Sequence, residues 1–159
     1  MSDGREIRLI AFQVGSESFV LDIMAVRQIV VYEGSRKVPQ APSFIEGITI
    51  LRNEVIPIID LRTRLFPGLD DPNPKPLVLI TNTDVGVLGL KVDEVRKILR
   101  VNTKNILAPP PIIRGLQGEL FVGVIPMEDE TYLVVDIRSI LSDEEQSALA
   151  RVSLSSPKK

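Results

Sequence analysis

The sequence contains no cysteine, no histidine and no tryptophan. Without cysteine, a disulfide framework, a thiol nucleophile and a thiolate zinc site are all excluded. Without histidine, there is no Ser–His catalytic pair and no imidazole metal ligand. These absences exclude most hydrolase and redox chemistries. They leave chemistry on carboxylate, lysine, tyrosine or serine groups, or no chemistry at all.

The chain also lacks an excess of charge of one sign, since 19 basic residues stand against 21 acidic ones. We therefore expect no nucleic-acid partner, because no basic surplus is present to bind a phosphate backbone. The N-terminus is acidic where a signal peptide needs a basic region. No stretch approaches the roughly 20 apolar residues that span a bilayer. We expect a cytoplasmic protein without direct membrane insertion.

Apolar residues make up 44% of the 159 residues and charged residues 25%, so the chain has enough apolar material for a real core. β-Rich runs dominate, and a short helical turn feeding a strand is expected over residues 24–31. Asp60 is placed to cap a short helix at residues 61–65, and Ser142 to cap another that ends near Ala150. Strands are predicted at residues 7–14, 19–23, 47–51, 55–59, 77–81, 87–92, 120–125 and 132–135.

Three short patterns occur twice in the same order, roughly 70 residues apart, with a proline-rich linker at residues 67–76 between the copies. They are Val26-Arg27-Gln28-Ile29 with Val95-Arg96-Lys97-Ile98, Ile45-Glu46-Gly47 with Ile113-Arg114-Gly115, and 60–65 with 136–141. We infer two similar units of about five short strands, each marginal alone and each best freed of exposed edges by closing into a barrel. The two units should pack together and leave a groove at their junction.

The chain from about Ile7 to Leu141 resembles the CheW-family coupling proteins of bacterial chemosensory systems. The most specific stretch runs from Pro42 to Arg62, with an aromatic residue, a glycine, Leu-Arg, a β run containing proline, and Asp-Leu-Arg at the family's spacings. The resemblance implies a mainly β fold of two tandem SH3-like five-stranded β-barrels with short helices. It places one domain at residues 1–150, with subdomains at about 15–75 and 76–141. The N-terminal strand and C-terminal helix would pack across them, and residues 151–159 would form a flexible tail.

The resemblance also implies a non-catalytic adaptor that bridges the helical tip of chemoreceptors to the regulatory domain of a CheA-type histidine kinase. Such an adaptor needs no cofactor, metal or small-molecule substrate, and it would lie in receptor arrays at the inner face of the membrane or in cytoplasmic receptor clusters. The matching receptor-groove positions are Ile23, Val26, Ile29, Val95 and Ile98. The matching kinase-coupling positions are Gly47, Arg52, Asn53 and Glu54.

The chain departs from the family pattern at two positions in this stretch. Asn53 stands where relatives usually have glycine, and Ile50 stands where they often have asparagine. Asparagine tolerates a left-handed turn, so the hairpin should form, but the side chain adds bulk at a contact surface. An accessory protein that binds receptors and couples poorly to the kinase is therefore the alternative.

Each of these residues also has a simpler interpretation. Apolar residues at the spacing of Ile23, Val26 and Ile29 usually belong to a core. Arg52 at a turn, like Arg27 and Arg96, would ordinarily be solvated. Asp60 and Asp136 are better explained as helix caps than as an acid–base pair, and neither acidic run has the spacing of a calcium loop.

Overall fold

The computed structural model describes residues 4–41, 45–65, 75–84, 86–109 and 121–136. These residues form ten strands, one short α-helix and two 3-10 turns. The 3-10 turns are Ile23–Ala25 and Thr103–Asn105, and the α-helix α1 is Leu61–Leu65. The strands are β1 (Glu6–Val14), β2 (Glu17–Asp22), β3 (Val26–Val31), β4 (Ile45–Leu51), β5 (Glu54–Asp60), β6 (Leu77–Thr83), β7 (Gly86–Val92), β8 (Glu94–Asn102), β9 (Phe121–Pro126) and β10 (Thr131–Val135).

The strands divide into two five-stranded sheets with one pairing pattern. Barrel 1 has the order β3-β6-β7-β5-β4, and barrel 2 has the order β8-β1-β2-β10-β9. In both, the pairs along the order are antiparallel, antiparallel, parallel and antiparallel. The predicted mainly β class, with two five-stranded SH3-like subdomains, is confirmed.

Each sheet is closed by one β-bridge. It joins the segment that follows the first strand of the sheet order to the last strand of that order. In barrel 1, Arg36 and Ile48 exchange two backbone hydrogen bonds of 2.8 Å. In barrel 2, Leu107 and Val124 exchange bonds of 2.9 and 2.8 Å. Closure gives the edge strands partners, as the sequence led us to expect.

The strand pairing shows which parts of the chain form each barrel. Barrel 1 uses the continuous segment 26–92, whereas barrel 2 takes β1 and β2 from the N-terminal part of the chain and β8 to β10 from the later part. The strand pairing therefore divides the chain differently from the predicted subdomains at about 15–75 and 76–141. The reason is that β6 and β7 complete the sheet begun by β3, while β1 pairs with β8.

Three apolar clusters explain the strand sequences. One fills barrel 1 around Ile56, Ile58, Val78 and Ile80, and one fills barrel 2 around Tyr132. The third, which we call the junction core, lies between the barrels and includes Ile10, Phe12, Phe19 and Leu21 of barrel 2 together with Ile59, Leu61, Leu79, Leu88 and Leu90 of barrel 1. Strands β1, β2, β6 and β7 are buried on both faces, so their sequences are apolar runs rather than alternations.

The predicted elements agree with the structure where it describes them, apart from one strand that was not predicted. The 3-10 turn leading into β3 and the cap of α1 by Asp60 both form, the latter through a 3.0 Å bond from the Arg62 amide. No strand is predicted over residues 94–102, where charged and apolar residues mix, yet β8 lies there. The C-terminal helix from Ser142, the tail 151–159 and most of the linker 67–76 lie outside the described residues.

Candidate functional site

The repeated motifs Val26-Arg27-Gln28-Ile29 and Val95-Arg96-Lys97-Ile98 occupy equivalent places at the start of β3 and β8. Each strand is the first in the order of its sheet, and each contains a β-bulge at the arginine. Val26 and Val95 are half-buried and both pack against the junction core. The structure therefore brings these two predicted groove residues onto one cluster, and the bulges change the direction of the side chains that follow.

Ile29 and Ile98 are exposed at equivalent positions beside the junction core. Ile29 is 42% exposed and lies opposite Leu79, and Ile98 is 52% exposed and lies opposite Ile10. Cross-strand partners share a sheet face, so each isoleucine continues the face that forms the junction core outward by one strand. Ile23 lies half-buried in the 3-10 turn that connects the barrels.

The predicted coupling residues Arg52 and Asn53 form the two-residue turn of the β4–β5 hairpin. Both have positive φ, 53° for Arg52 and 67° for Asn53, as a type I′ turn requires, and both side chains are exposed. Asn53 thus adopts the left-handed conformation expected of it. Glu54 follows the turn and forms an ion pair of 2.8 Å with Arg27, in which both side chains are nearly half exposed. Arg27 is therefore paired rather than simply solvated.

Gly47 is a buried position at the closure of barrel 1. A Cβ atom there would lie 2.6 Å from the Ser35 Oγ and 2.8 Å from the Arg36 carbonyl oxygen. Glycine is needed because the chain after β3 crosses so closely over β4. Gly123 has the same place in barrel 2, where a Cβ would lie 2.3 Å from Ile106 Cγ2. It follows a bulge at Val122, as Gly47 follows one at Glu46.

Barrel 2 therefore supplies Gly123, rather than Gly115, as the partner of Gly47 in the repeat. The echoed Ile113-Arg114-Gly115 lies outside the described residues.

An apolar strip lies on the outer face of the same hairpin and was not among the predicted site residues. Ile50 is 68% exposed and is directly paired with Val55, which is 49% exposed. Ile48 and Pro57 form the next pair on that face and are half-buried. The alternation of Ile48 and Ile50 with Thr49 was the available signal. Adjacent exposed apolar residues next to an exposed turn are typical of a protein contact surface.

The CheW-like domain family matches residues 8–145 of the chain. The chain belongs to this family. Chemotaxis protein CheW of Treponema pallidum is 32% identical over 151 residues, covering 92% of this chain and 89% of the relative. Chemotaxis protein CheW of Rhizobium meliloti is 34% identical over 145 residues, with 91% and 92% covered. The crystal structure of scaffolding protein TtCheW from Thermoanaerobacter tengcongensis aligns with a TM-score of 0.79 at 25% identity, covering 89% of this chain and 96% of that one.

This CheW-like domain carries an ion cluster at the end of barrel 1. Lys91 Nζ lies 3.0 and 3.1 Å from the two carboxylate oxygens of Glu46, 4.0 Å from Asp60, and 4.4 Å from the centre of the Tyr32 ring. The Tyr32 hydroxyl donates to Glu46 and is 3.0 Å from Ser35 Oγ. Burial, together with the bond to Glu46, raises the pKa of Tyr32. Lys91 is thus a cation that lies between two carboxylates, and its shorter contact is with Glu46.

The equivalent end of barrel 2 is an open groove of about 660 Å³ with a largely apolar lining. Val122 replaces Glu46 there, and Asp22 replaces Lys91. No cluster of three or more acidic residues suited to a metal ion occurs in the described part of the chain. Within that part, none of the helical segments has the length and apolar character that a membrane span requires.

Proposed function

We propose that this protein is a non-catalytic adaptor that couples chemoreceptors to a CheA-type histidine kinase in a chemosensory array. Membership of the CheW-like family supports the chemotaxis role. The observation that carries the receptor half of the proposal is the exposure of Ile29 and Ile98 at equivalent positions beside one junction core. The array would lie at the inner face of the membrane or in cytoplasmic receptor clusters.

The receptor surface consists of Val26, Ile29, Val95 and Ile98, with Ile23 at the connection between the barrels. The cytoplasmic tip of a chemoreceptor is a helical hairpin, and a helix binds well to an apolar surface that excludes water. Val26 and Val95 contact the junction core and give this surface a rigid base, whereas Ile29 and Ile98 have free area to bury. The two kinds of residue therefore serve different purposes in binding.

The kinase surface consists of the hairpin turn at Arg52 and Asn53 together with the apolar strip of Ile50 and Val55. The exposed fractions of Ile50 and Val55 supply apolar area, and the neighbouring turn supplies polar contacts at its rim, as in many protein interfaces. Glu54 is held by Arg27, so it connects this surface to the β3 bulge rather than standing free. Gly47 contributes by allowing the barrel to close.

Binding of the receptor's cytoplasmic fragment, measured by calorimetry, tests the receptor surface. We expect Ile29→Glu and Ile98→Glu each to weaken binding by about tenfold or more, since a buried unpaired carboxylate opposes association. Their thermal stability should stay close to that of the wild type because both side chains are exposed. Val26→Glu is less informative because Val26 packs against the core.

Val122→Glu is the matched control, because it changes an equally exposed apolar residue of barrel 2 and barrel 1 already has Glu46 at that position. It should leave receptor binding unchanged. If the wild-type protein binds neither the receptor fragment nor the kinase regulatory domain, the proposed function is wrong. If Ile29→Glu binds the receptor as tightly as the wild type, the receptor surface is wrongly placed.

The alternative is an accessory protein that binds receptors but couples weakly to the kinase. The exposed Asn53 side chain at the tip of the hairpin favours it, because the turn keeps its left-handed geometry while the surface gains bulk. Asn53→Gly removes that bulk and leaves a turn that glycine also adopts. A large gain in kinase affinity would support the accessory role, whereas tight binding by the wild type would support the full adaptor.

A further inference from the structure

The two connections between the barrels differ in how they are held. One runs from β2 through the 3-10 turn to β3, and the other runs from β7 through Asp93 to β8. The register makes Asp93 the equivalent of Met24, since each lies two residues before the valine that starts the repeated motif. Met24 is 83% exposed, whereas Asp93 is largely buried among polar partners.

Asp93 connects both barrels through its side chain. Its carboxylate oxygen Oδ2 accepts a 2.6 Å bond from the Gly15 amide, in the β1–β2 turn of barrel 2. The same oxygen accepts a 2.6 Å bond from Arg62, in the helix that follows β5 of barrel 1. The Asp93 amide donates to the Gln13 carbonyl at 2.9 Å, which fixes the carboxylate in place.

Arg62 is itself anchored in barrel 1. The Asp60 side chain accepts from the Arg62 amide at 3.0 Å, and the neighbouring Leu61 is fully buried in the junction core. The Arg62 and Asp93 side chains are only 15% and 16% exposed, so water screens their attraction less than it screens a surface pair. Charge-assisted bonds of this kind also have strong directional preferences.

We propose that Arg62 and Asp93 are positioning residues that fix the orientation of barrel 1 relative to barrel 2. We call the Arg62–Asp93 pair the clamp: Asp93 lies two residues before Val95 in the chain, and α1 connects Arg62 to the junction core through Leu61. The clamp therefore sets where Val26 and Ile29 stand relative to Val95 and Ile98. The consequence for receptor binding rests on the proposed function, whereas the orientation itself does not.

Distance measurements between the barrels test the positioning role directly. The chain has no cysteine, so Asp84→Cys in barrel 1 and Asp129→Cys in barrel 2 give two spin labels at exposed turns. We expect a single narrow distance in this labelled protein, and a broader distribution or a second distance after Arg62→Ala or Asp93→Asn. Asp93→Asn keeps the size of the side chain and its acceptor for Gly15, so it removes the charge alone.

Arg62→Lys should recover much of the narrow distribution because it restores the charge. Arg5→Ala, which removes an exposed arginine from barrel 2, should change nothing. An Arg62→Ala protein that keeps its fold by circular dichroism and shows the same narrow distance as the parent would overturn the proposal. So would an Arg5→Ala protein that broadens equally.

Receptor binding by the same variants tests the consequence. Without the clamp, the barrel orientation that binds the receptor would be only partly populated. A population of about one fifth lowers affinity for the receptor fragment about fivefold, and a population of about one tenth lowers it about tenfold. Unchanged affinity alongside a broadened distance would contradict the link to binding. If the wild type fails to bind the fragment at all, the receptor half of the proposed function fails, and the distance measurement still decides whether the clamp positions the barrels.

Discussion

Barrel 1 and barrel 2 have one strand order but opposite chemistry where their parallel strands end. In barrel 1, Lys91 lies between Glu46 and Asp60 and beneath the Tyr32 ring. In barrel 2, the positions of Glu46 and Lys91 hold Val122 and Asp22, and a largely apolar groove of about 660 Å³ lies there. Both barrels thus have a groove at this end, but in barrel 1 it is smaller, about 380 Å³, and is lined by Glu46 and Asp60 of the ion cluster, whereas the barrel 2 groove is more apolar.

Some features of the two barrels are the same and others differ. In both barrels, the first strand of the sheet order has a bulge at an arginine, and the last strand has a bulge just before the closing glycine. The strand paired in parallel ends at or just before an aspartate, Asp60 in barrel 1 and Asp136 in barrel 2. The outer faces differ, since Ile50 and Val55 of barrel 1 correspond to Pro126 and Thr131 of barrel 2. The bulges and closing glycines shape the backbone in both barrels, and the proposed receptor residues are also shared. The outer hairpin face, which is the proposed kinase surface, is the part that differs.

The largest effect is expected at the two closing glycines. Gly47→Ala should destabilise the protein by about 2–3 kcal/mol, because the new Cβ meets the Arg36 backbone as well as Ser35. Gly123→Ala should cost about 1 kcal/mol, because its closest contact is a side-chain methyl of Ile106, which has more room to shift. Urea unfolding of both variants measures the difference.

Equal losses of unfolding free energy in the two variants would show that backbone and side-chain contacts at these glycines resist a Cβ atom equally. A Gly47→Ala protein of wild-type stability that has lost kinase binding would return Gly47 to the contact surface.

The outer face of the hairpin should show the next largest effect, on kinase binding. Val55→Glu is expected to weaken binding of the kinase regulatory domain by about tenfold or more, since it puts a charge into an apolar strip. Thr131→Glu is the equivalent change in barrel 2 and serves as the control. Calorimetric titration of both variants with the kinase domain compares them. Equal weakening by the two substitutions would mean that the strip is not the distinguishing surface.

The ion cluster should respond to a substitution that imitates barrel 2. Lys91→Met should cost about 1–2 kcal/mol, because Glu46 and Asp60 lose their cation while remaining only about a fifth exposed. Adding Glu46→Val, the residue type of barrel 2, should recover part of that loss, since replacing a whole buried pair by apolar groups is often close to neutral. Thermal unfolding measures both steps, with the exposed Lys104→Met as control. A double variant less stable than Lys91→Met would show that Glu46 contributes through Tyr32 rather than through Lys91.

Local patterns were enough to predict most of the fold. The alternation of β runs, the Asp60 cap and the left-handed Asn53 turn each depend on neighbouring residues, and each is visible in the sequence. The strand β8 was missed because Glu94, Arg96 and Lys97 face solvent and obscure its apolar positions. The division of the chain between the two barrels was predicted wrongly because β1 pairs with β8, which is distant in sequence. That pairing depends on which apolar strand faces pack together in the junction core. The same limit applies to the Arg62–Asp93 clamp, whose partners are distant in sequence.

The two tyrosines offer the smallest and cleanest comparison, one in each barrel. Burial raises the pKa of both, with the bond to Glu46 adding to the effect at Tyr32 and the charge of Glu130 adding to it at Tyr132. A raised pKa means that the neutral phenol is favoured in the folded state, so its contribution to stability is fully present below the ordinary value near 10. It is lost as the pH rises through the folded value.

Because the chain has two tyrosines and no tryptophan, absorbance near 295 nm should report both ionisations above pH 10. Tyr32→Phe should leave the single transition of Tyr132. A Tyr32 transition at or below the ordinary value would show that Lys91, rather than burial and Glu46, governs the hydroxyl and that the two barrel ends differ more than their geometry indicates.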